Sequence, residues 1–343
     1  MAYQREHRRL TMEDIDFVIT WVDGSDPAWR SERQKYASRE GDQQEVRFRD
    51  WGLLRYWFRG VAQYAPWVRK IHFVTWGHVP DWLDESNPKL HIVRHGDFIP
   101  PEYLPTFNSH TIELNLHRIP GLAEQFVYFN DDVFLTKPSS PTLFFQHGLP
   151  CDCFGLDSIY FSSNSIGRIS SAGIAVLNDA FSLHSVLVKH WKKVFSIRNG
   201  LKKVLKTVFF SKCYPWFPGL FHWHLSFSFH KTTFLTVWAA IEKELDATCR
   251  SKFREANNLG PTVMKYWQLA CGAFIPTNTK NGYYIQLTDQ RIDEACACIT
   301  SAKYNLLCLN DVDGCKNVEL AKQKLKNAFK TVYPICSSFE KTT

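Results

Sequence analysis

The chain has 343 residues, 45% of them apolar, 22% charged and 15% aromatic, with a formal net charge of +7. This composition excludes disorder, collagen and coiled coil, and the length suits one large domain or two ordinary ones with ample material for a core. No uninterrupted apolar run reaches the ~18 residues a membrane span needs, and the opening MAYQREHRRLTMEDID has basic residues without the apolar stretch of a secretory signal.

In chain order, Ile15–Trp21 (IDFVITW) is an apolar, β-branched run that stops at the turn-rich VDGSDP, the pattern of a buried strand and a loop. Arg47–Tyr64 alternates apolar and basic residues at helical period and should end before Ala65-Pro66. Ile71–Thr75 and Lys89–Val93 read as strands, Ser109–Leu116 as a helix, and Phe126–Phe129 as a fourth strand running into Asn130-Asp131-Asp132. Strands alternating with helices imply an α/β fold with a mainly parallel sheet covered on both faces. Beyond Gly155 the alternation stops, and the C-terminal third reads as helical, over Thr233–Ala247 and Asn317–Phe329. The expected organisation is an α/β core over 1–180, a basic amphipathic segment over 181–241 and a helical part over 242–343.

Charge is concentrated in the middle segment. Between Ala180 and Ile241 there is no acidic residue, while nine lysines and arginines are interleaved with apolar and aromatic ones. The pattern is a basic amphipathic helix pair broken near Asn199-Gly200. It is either a solvated face over a core stripe or a helix lying on an anionic membrane surface. No nucleic-acid-binding motif accompanies the charge. Of the ten cysteines, seven lie at Cys249 or later, and Cys296-x-Cys298 has the wrong spacing for a zinc knuckle, so they read as mostly reduced core thiols.

Ligands of open α/β sheets gather at the carboxyl ends of the strands. Two such ends carry clustered polar residues: Trp21-Val22-Asp23-Gly24-Ser25-Asp26 and Asn130-Asp131-Asp132. Paired aspartates after a buried strand suit Mg²⁺ or Mn²⁺ bridging phosphate oxygens, or else a helix cap or turn. GxGxxG and GxxxxGK[ST] are both missing, so dinucleotide and P-loop readings have no support.

Read together, IDFVITWVDGSDPAW, RFRDWGLLRYWFRGVAQYAPWVRKIHFVTWGHVPDWL, LPTFNSHTIELNLHRIPGL, FVYFNDDVFL, HLSFSFHKTTFLTVW with SKFREANNLGPTVMKYW, and LLCLNDVDG form an ordered series from about Ile15 to Gly314. This series resembles the Stealth family of sugar-phosphate transferases. The resemblance implies a Rossmann-like, GT-A-like core and transfer of a hexose-1-phosphate from a nucleotide sugar, usually UDP-linked, to a glycan hydroxyl. By the same resemblance Asp16 belongs to the active site, Trp21 contacts the nucleotide sugar, and Asp131 and Asp132 hold metal and diphosphate. His224 and Arg254 lie near the phosphate, and Asn310 and Asp311 match the last Asn-Asp pair. The family's histidine is commonly followed two positions on by proline, where this chain has Ser226.

The chemistry can also be built from the residues. Attack on the phosphorus beside the sugar releases UMP and needs cations at the phosphate oxygens. A metal at Asp131, Asp132 and Asp311 and the guanidinium of Arg254 would supply them, with Arg118 and Lys231 as further cations. His224 suits a general base at neutral pH, and Asp16 is its rival. Asp23, Arg47, Arg55, Asn108, Asn130 and Asn310 complete the expected substrate contacts, although Arg47 can simply pair with Asp50, and Asn108, Ser109 and Glu113 can equally cap a helix. The implied partners are a nucleotide sugar, a glycan or lipid-linked oligosaccharide acceptor and an anionic membrane surface, with no nucleic acid. The expected location is cytoplasmic, peripheral on the inner face of a bacterial plasma membrane. A glycosyltransferase releasing UDP and an inactive glycan-binding homologue are the rival readings.

Overall fold

A computed structural model describes residues 14–37, 49–159 and 165–342. The strands are β1 (Ile15–Thr20), β2 (Ile71–Thr75), β3 (Leu90–Arg94), β4 (Gln125–Phe129), β5 (Val133–Leu135), β6 (Phe145–Gln146), β7 (Leu149–Asp152), β8 (Phe227–His230), β9 (Ile275–Pro276), β10 (Gly282–Thr288) and β11 (Leu306–Gly314). The α-helices are α1 (Pro27–Tyr36), α2 (Leu54–Tyr64), α3 (Ser109–Leu114), α4 (Ser165–Ala180), α5 (Leu183–Lys189), α6 (Trp191–Val194), α7 (Leu201–Cys213), α8 (Lys231–Ala240), α9 (Glu242–Arg250), α10 (Thr262–Ala270), α11 (Ile292–Ser301) and α12 (Val318–Val332).

The central sheet runs β3-β2-β1-β4-β8. Its first four strands are mutually parallel, and β8 pairs antiparallel with β4. β1, β2 and β4 are buried almost throughout, which is why they read as unbroken apolar runs rather than alternating ones. Alternate side chains feed two cores: Phe17, Phe73, Val127 and Phe129 on one face, Val18, Val74, Phe126 and Tyr128 on the other. Helix α2 presents Trp57, Phe58 and Val61 to the first of these.

A second sheet, β10-β11-β5, takes two of its three strands from the chain's expected helical third. That third does carry α11 and α12, but GYYIQLT precedes α11 and LLCLNDVDG separates α11 from α12, and the two segments pair as parallel strands. The apolar run 233–247 is likewise two helices, α8 and α9, broken at Ile241. In the basic segment the chain breaks at Gly200, whose φ of 99° lies in the region glycine favours, as the Asn-Gly pair suggests. β8, also from that segment, is the fifth strand of the central sheet. All ten cysteines are free, but only Cys153, Cys249 and Cys308 are buried, so most are not core thiols.

Candidate active site

From β1 the chain adds β2 and β3 on one side and then β4 on the other. The connections leave in opposite directions, so a crevice opens beyond the carboxyl ends of β1 and β4. Trp21 continues β1 there, its amide donating to Val74 O at 2.9 Å. β4 ends in Asn130-Asp131-Asp132, a turn closed by the Val133 amide on Asn130 O at 3.2 Å. The turn passes the chain directly into β5, and so from the central sheet into the second one. The Leu309 amide on β11 donates to Asp132 O at 2.8 Å, which fastens the second sheet to the turn.

This fastening sets Cys308 Sγ 3.4 Å from Asp132 Oδ2. His224, on the loop entering β8, brings Nε2 to 3.5 Å from the same oxygen. The ligand atoms of Asp132, His224 and Cys308 all lie within 4.8 Å of one another. Asp132 Oδ1 is buried with no hydrogen-bond partner among the described residues. An orphaned carboxylate oxygen beside an imidazole and a thiol fits a divalent cation. Desolvation pushes His224 down, but the hydrogen bond and charge of Asp132, aided by Glu113, outweigh it and hold the imidazole above its ordinary pKa.

Opposite lies Glu113 on α3, buried at 6% exposure. Tyr128 Oη is 2.9 Å from Glu113 Oε1, 2.6 Å from Asn130 Oδ1 and 3.1 Å from Thr20 Oγ1. Burial raises Glu113 to about 7, against the opposing pull of the Arg254 charge, the Tyr128 hydrogen bond and His224. The Arg254 guanidinium donates to Ser109 Oγ in the first turn of the same helix. The charges of Asp132, Glu113 and Arg254 all act on His224, and those of Arg254 and His224 on Glu113, so His224 is the residue the others surround.

Asn108 supports this group rather than joining it. Fully buried, it caps α3 by accepting from the His110 amide, and its Nδ2 reaches Asn258 Oδ1 at 2.8 Å and Ser251 O at 3.3 Å. One side chain thus brackets the start of α3 and the loop that carries Arg254. Trp21 is half-buried, stacked on Phe73 at 5.7 Å and edge-on to His78 at 5.2 Å. Asp23 Oδ1 is taken by the amide and hydroxyl of Ser25, while its own amide donates to His78 Nε2 at 2.7 Å. Asp131 neighbours the metal candidates; desolvation, then Asp132 and Asp50, push its pKa up. Asn310 follows Leu309, and Asp311 pairs with Arg49 at 3.4 Å, so neither Asp131 nor Asp311 joins the three-residue ligand cluster.

Several expected residues lie elsewhere. Asp16 is the second residue of β1, at the opposite end of the strand from the crevice. Its carboxylate accepts from Arg69 Nε at 2.8 Å, Arg69 Nη2 at 2.5 Å and the Ala123 amide at 2.8 Å, and touches His72 Nε2 at 2.9 Å. Burial raises its pKa, but these bonds outweigh that and hold it below the usual value. A carboxylate so saturated ties β1 to β2 and to the Ala123 loop, away from the crevice. Arg55 pairs with Glu340 and lies over Trp82; Arg118 binds Asn115 and lies over Trp238. Lys231 follows β8, and its amide bonds Glu124 O at the start of β4, again the far end. Arg47 lies outside the described residues.

Glu113 and Cys308 were not singled out as site residues from the sequence. Glu113 carried a faint signal, because it shares the loop and helix start of Asn108 and Ser109.

Two regions match the Stealth family: residues 13–41 its conserved region 1 and residues 47–151 its conserved region 2. The chain is 38% identical over 339 residues to a capsular polysaccharide phosphotransferase, WcwK, of Streptococcus pneumoniae, covering 96% of this chain and 99% of that protein. It is 36% identical to a receptor polysaccharide phosphotransferase, WefC, of Streptococcus gordonii, covering 96% and 99%. It is 35% identical to an exopolysaccharide phosphotransferase of Lactiplantibacillus plantarum, covering 96% of each. The galactosyltransferase LgtC, crystallised with donor and acceptor sugar analogues, superposes with a TM-score of 0.37 at 9% identity over 91% of this chain and 95% of that one, too loosely to carry an argument. With relatives this similar over nearly their whole length, the chain belongs to the Stealth family of sugar-phosphate transferases and is an enzyme of the phosphotransferase class.

Proposed function

We propose that the enzyme moves a hexose-1-phosphate or N-acetylhexosamine-1-phosphate from a UDP-sugar to a hydroxyl of a glycan or lipid-linked oligosaccharide, in the making of a bacterial surface polysaccharide. The bond formed joins the acceptor oxygen to the phosphorus beside the sugar. The bond broken joins that phosphorus to the bridging oxygen, which leaves with its electron pair as UMP. The work takes place at the inner face of the plasma membrane.

One observation carries the reading: His224 Nε2 lies 3.5 Å from Asp132 Oδ2 and feels the charges of both Glu113 and Arg254. In-line transfer between oxygens needs positive charge on the equatorial oxygens and a proton acceptor at the nucleophile. Arg254, held by Ser109, can bind two phosphate oxygens at once. Glu113, raised to about 7, is poised to take the acceptor's proton near neutral pH. Tyr128 fixes its carboxylate from below. Trp21 offers the uracil or ribose an aromatic surface at the crevice mouth. Asp132, with His224 and Cys308, would hold the Mn²⁺ or Mg²⁺. When bound, that cation supplies positive charge to the donor diphosphate.

The test is mass spectrometry of products from a panel of UDP-sugars and glycan acceptors, with Mn²⁺ or Mg²⁺ and with EDTA. UMP and a phosphodiester product are expected, with loss of both in EDTA. UDP and a simple glycoside would overturn the reading in favour of a glycosyltransferase. Tight donor binding with no turnover would assign the chain to glycan recognition alone.

A further inference from the structure

The helices of the basic segment turn their apolar side outward. On α7, Leu201, Leu205, Val208 and Phe209 follow the spacing of one helical face, and they are 65%, 61%, 37% and 63% exposed. The face toward the protein holds Thr207, buried, whose hydroxyl accepts from the Leu156 amide at 3.0 Å. A surface helix of a globular protein carries the opposite arrangement. Trp191 and Trp216 extend the patch at 58% and 54% exposure, and in all nine of the thirteen exposed large apolar residues fall between Val188 and Trp216. Around them Lys189, Lys192, Arg198, Lys202 and Lys212 are exposed, and there is no acidic residue from Ala180 to Ile241.

We propose that this face docks on the surface of an anionic lipid bilayer, with the α7 stripe and the two tryptophans in the interface and the lysines at the headgroups. Charge complementarity selects this occupant. A second copy would bring like charges together, whereas acidic lipids attract each lysine near the surface by about 1 kcal/mol. Apolar side chains flanked by lysines, with tryptophan at the boundary, form the composition of a helix that lies in the interface plane. The helix lies on the membrane rather than across it: among the described residues no helix is long and apolar enough to cross one. The bent pair Gly167–Ala180 and Leu183–Lys189 that passes by composition contributes Ile174, Leu177, Leu183 and Val186 to a buried core.

The docking helix also borders a cleft that reaches the sequence neighbours of His224. On the inner side of α7, Lys203 Nζ bonds Thr279 Oγ1 at 2.9 Å and lies 4.4 Å from the Phe221 ring. Thr279 and Phe221 line a cleft whose wall also includes Trp223 and Leu225, the neighbours of His224 in sequence. An acceptor carried on a lipid would thus enter along this cleft, a route that rests on the proposed transfer reaction, whereas the docking itself does not.

The test uses the whole chain in co-sedimentation with phosphatidylcholine vesicles and with phosphatidylcholine–phosphatidylglycerol vesicles. Binding is expected only to the anionic vesicles, reduced by ~0.5 M salt. The double variant Leu205→Glu, Phe209→Glu should lose binding about tenfold or more, with turnover of a soluble acceptor unchanged. Exchange of Trp191 and Trp216 for Phe should remove most of the fluorescence blue shift that vesicles induce. Equal binding by the double variant, equal binding to neutral vesicles, or a wild-type dimer that the double variant dissociates would each overturn the proposal. Loss of soluble turnover in every form would instead count against the transfer reading and leave the vesicle result standing.

Discussion

The Leu309 amide donates to the Asp132 carbonyl across 2.8 Å, and this bond extends the β5–β11 pairing to the turn itself, holding together segments 177 residues apart. It sets Cys308 against Asp132 and places the last Asn-Asp pair at the edge of the crevice. The two sheets meet at the Asn130–Asp132 turn, so the residues with most of the charge sit where the backbone changes sheets.

Asp132→Ala, His224→Ala and Arg254→Ala should each lower turnover by roughly a hundredfold or more without loss of folding. Arg254→Lys should recover little, because an ammonium cannot span two phosphate oxygens. Steady-state kinetics with circular dichroism controls checks this, and near-wild-type activity in Arg254→Lys would remove the bidentate clamp.

Glu113→Gln should cost roughly 10²-fold or more in turnover and should at the same time stabilise the protein in mild alkali. The carboxyl's folded pKa, about 7, lies above its unfolded value. Its contribution is therefore fully present in acid and is lost as pH rises through the folded pKa, leaving a cost of order 3 kcal/mol above it. Gln carries no such cost, so thermal unfolding near pH 8 should come later in the variant, with the gap closing in acid. An unchanged midpoint there would argue that Glu113 is not held uncharged by burial.

Asp16→Asn should act on stability rather than chemistry. It takes the buried carboxylate from Arg69 and His72; breaking a buried pair costs about 3–5 kcal/mol, and the partial exposure of Arg69 puts the loss below that range. Turnover per folded molecule, measured at low temperature, should stay within about twofold of wild type. A hundredfold loss in a fully folded variant would return Asp16 to the catalytic set.

The protein should weaken in acid before its ordinary surface carboxylates titrate. Burial lowers His95 to about 4 and His117 to about 3, with help from the charges of His78 and Arg118 respectively. Both are depressed below the unfolded value near 6.5, so the unfolded chain takes up these protons first. Stability from keeping them neutral is whole above that value and declines as pH falls toward the folded pKa. Urea melts between about pH 7 and 4.5 should show the decline, and His117→Leu should flatten it.

The central sheet is legible in the sequence because parallel strands buried on both faces leave unbroken apolar runs, as in IDFVIT and IHFVT. β10 and β11 are not, because their burial alternates or is interrupted by Asn310 and Asp311, and the helices on either side dominate the local pattern. The chemistry divides in the same way. Residues next to strand ends, such as Trp21 and Asp132, fall where the carboxyl-end rule places them. The same rule leaves Asp16, the second residue of β1, at the far end of its strand, where its partners Arg69 and His72 come from more than fifty residues away. The role of Glu113 depends on burial by Tyr128 and the Arg254 loop, a tertiary property that no window of sequence displays.

The bond from Arg59 to Glu340 spans 281 positions, and Glu340 is further bridged to Leu83 while Phe339 packs on Phe58. During synthesis the ribosome makes β1 and α2 early, yet their covering residues emerge hundreds of codons later. The nascent polypeptide must hold this face of its parallel strands unsealed until the segment around Phe339 and Glu340 emerges, so closure of the core is a late event of long-range contacts.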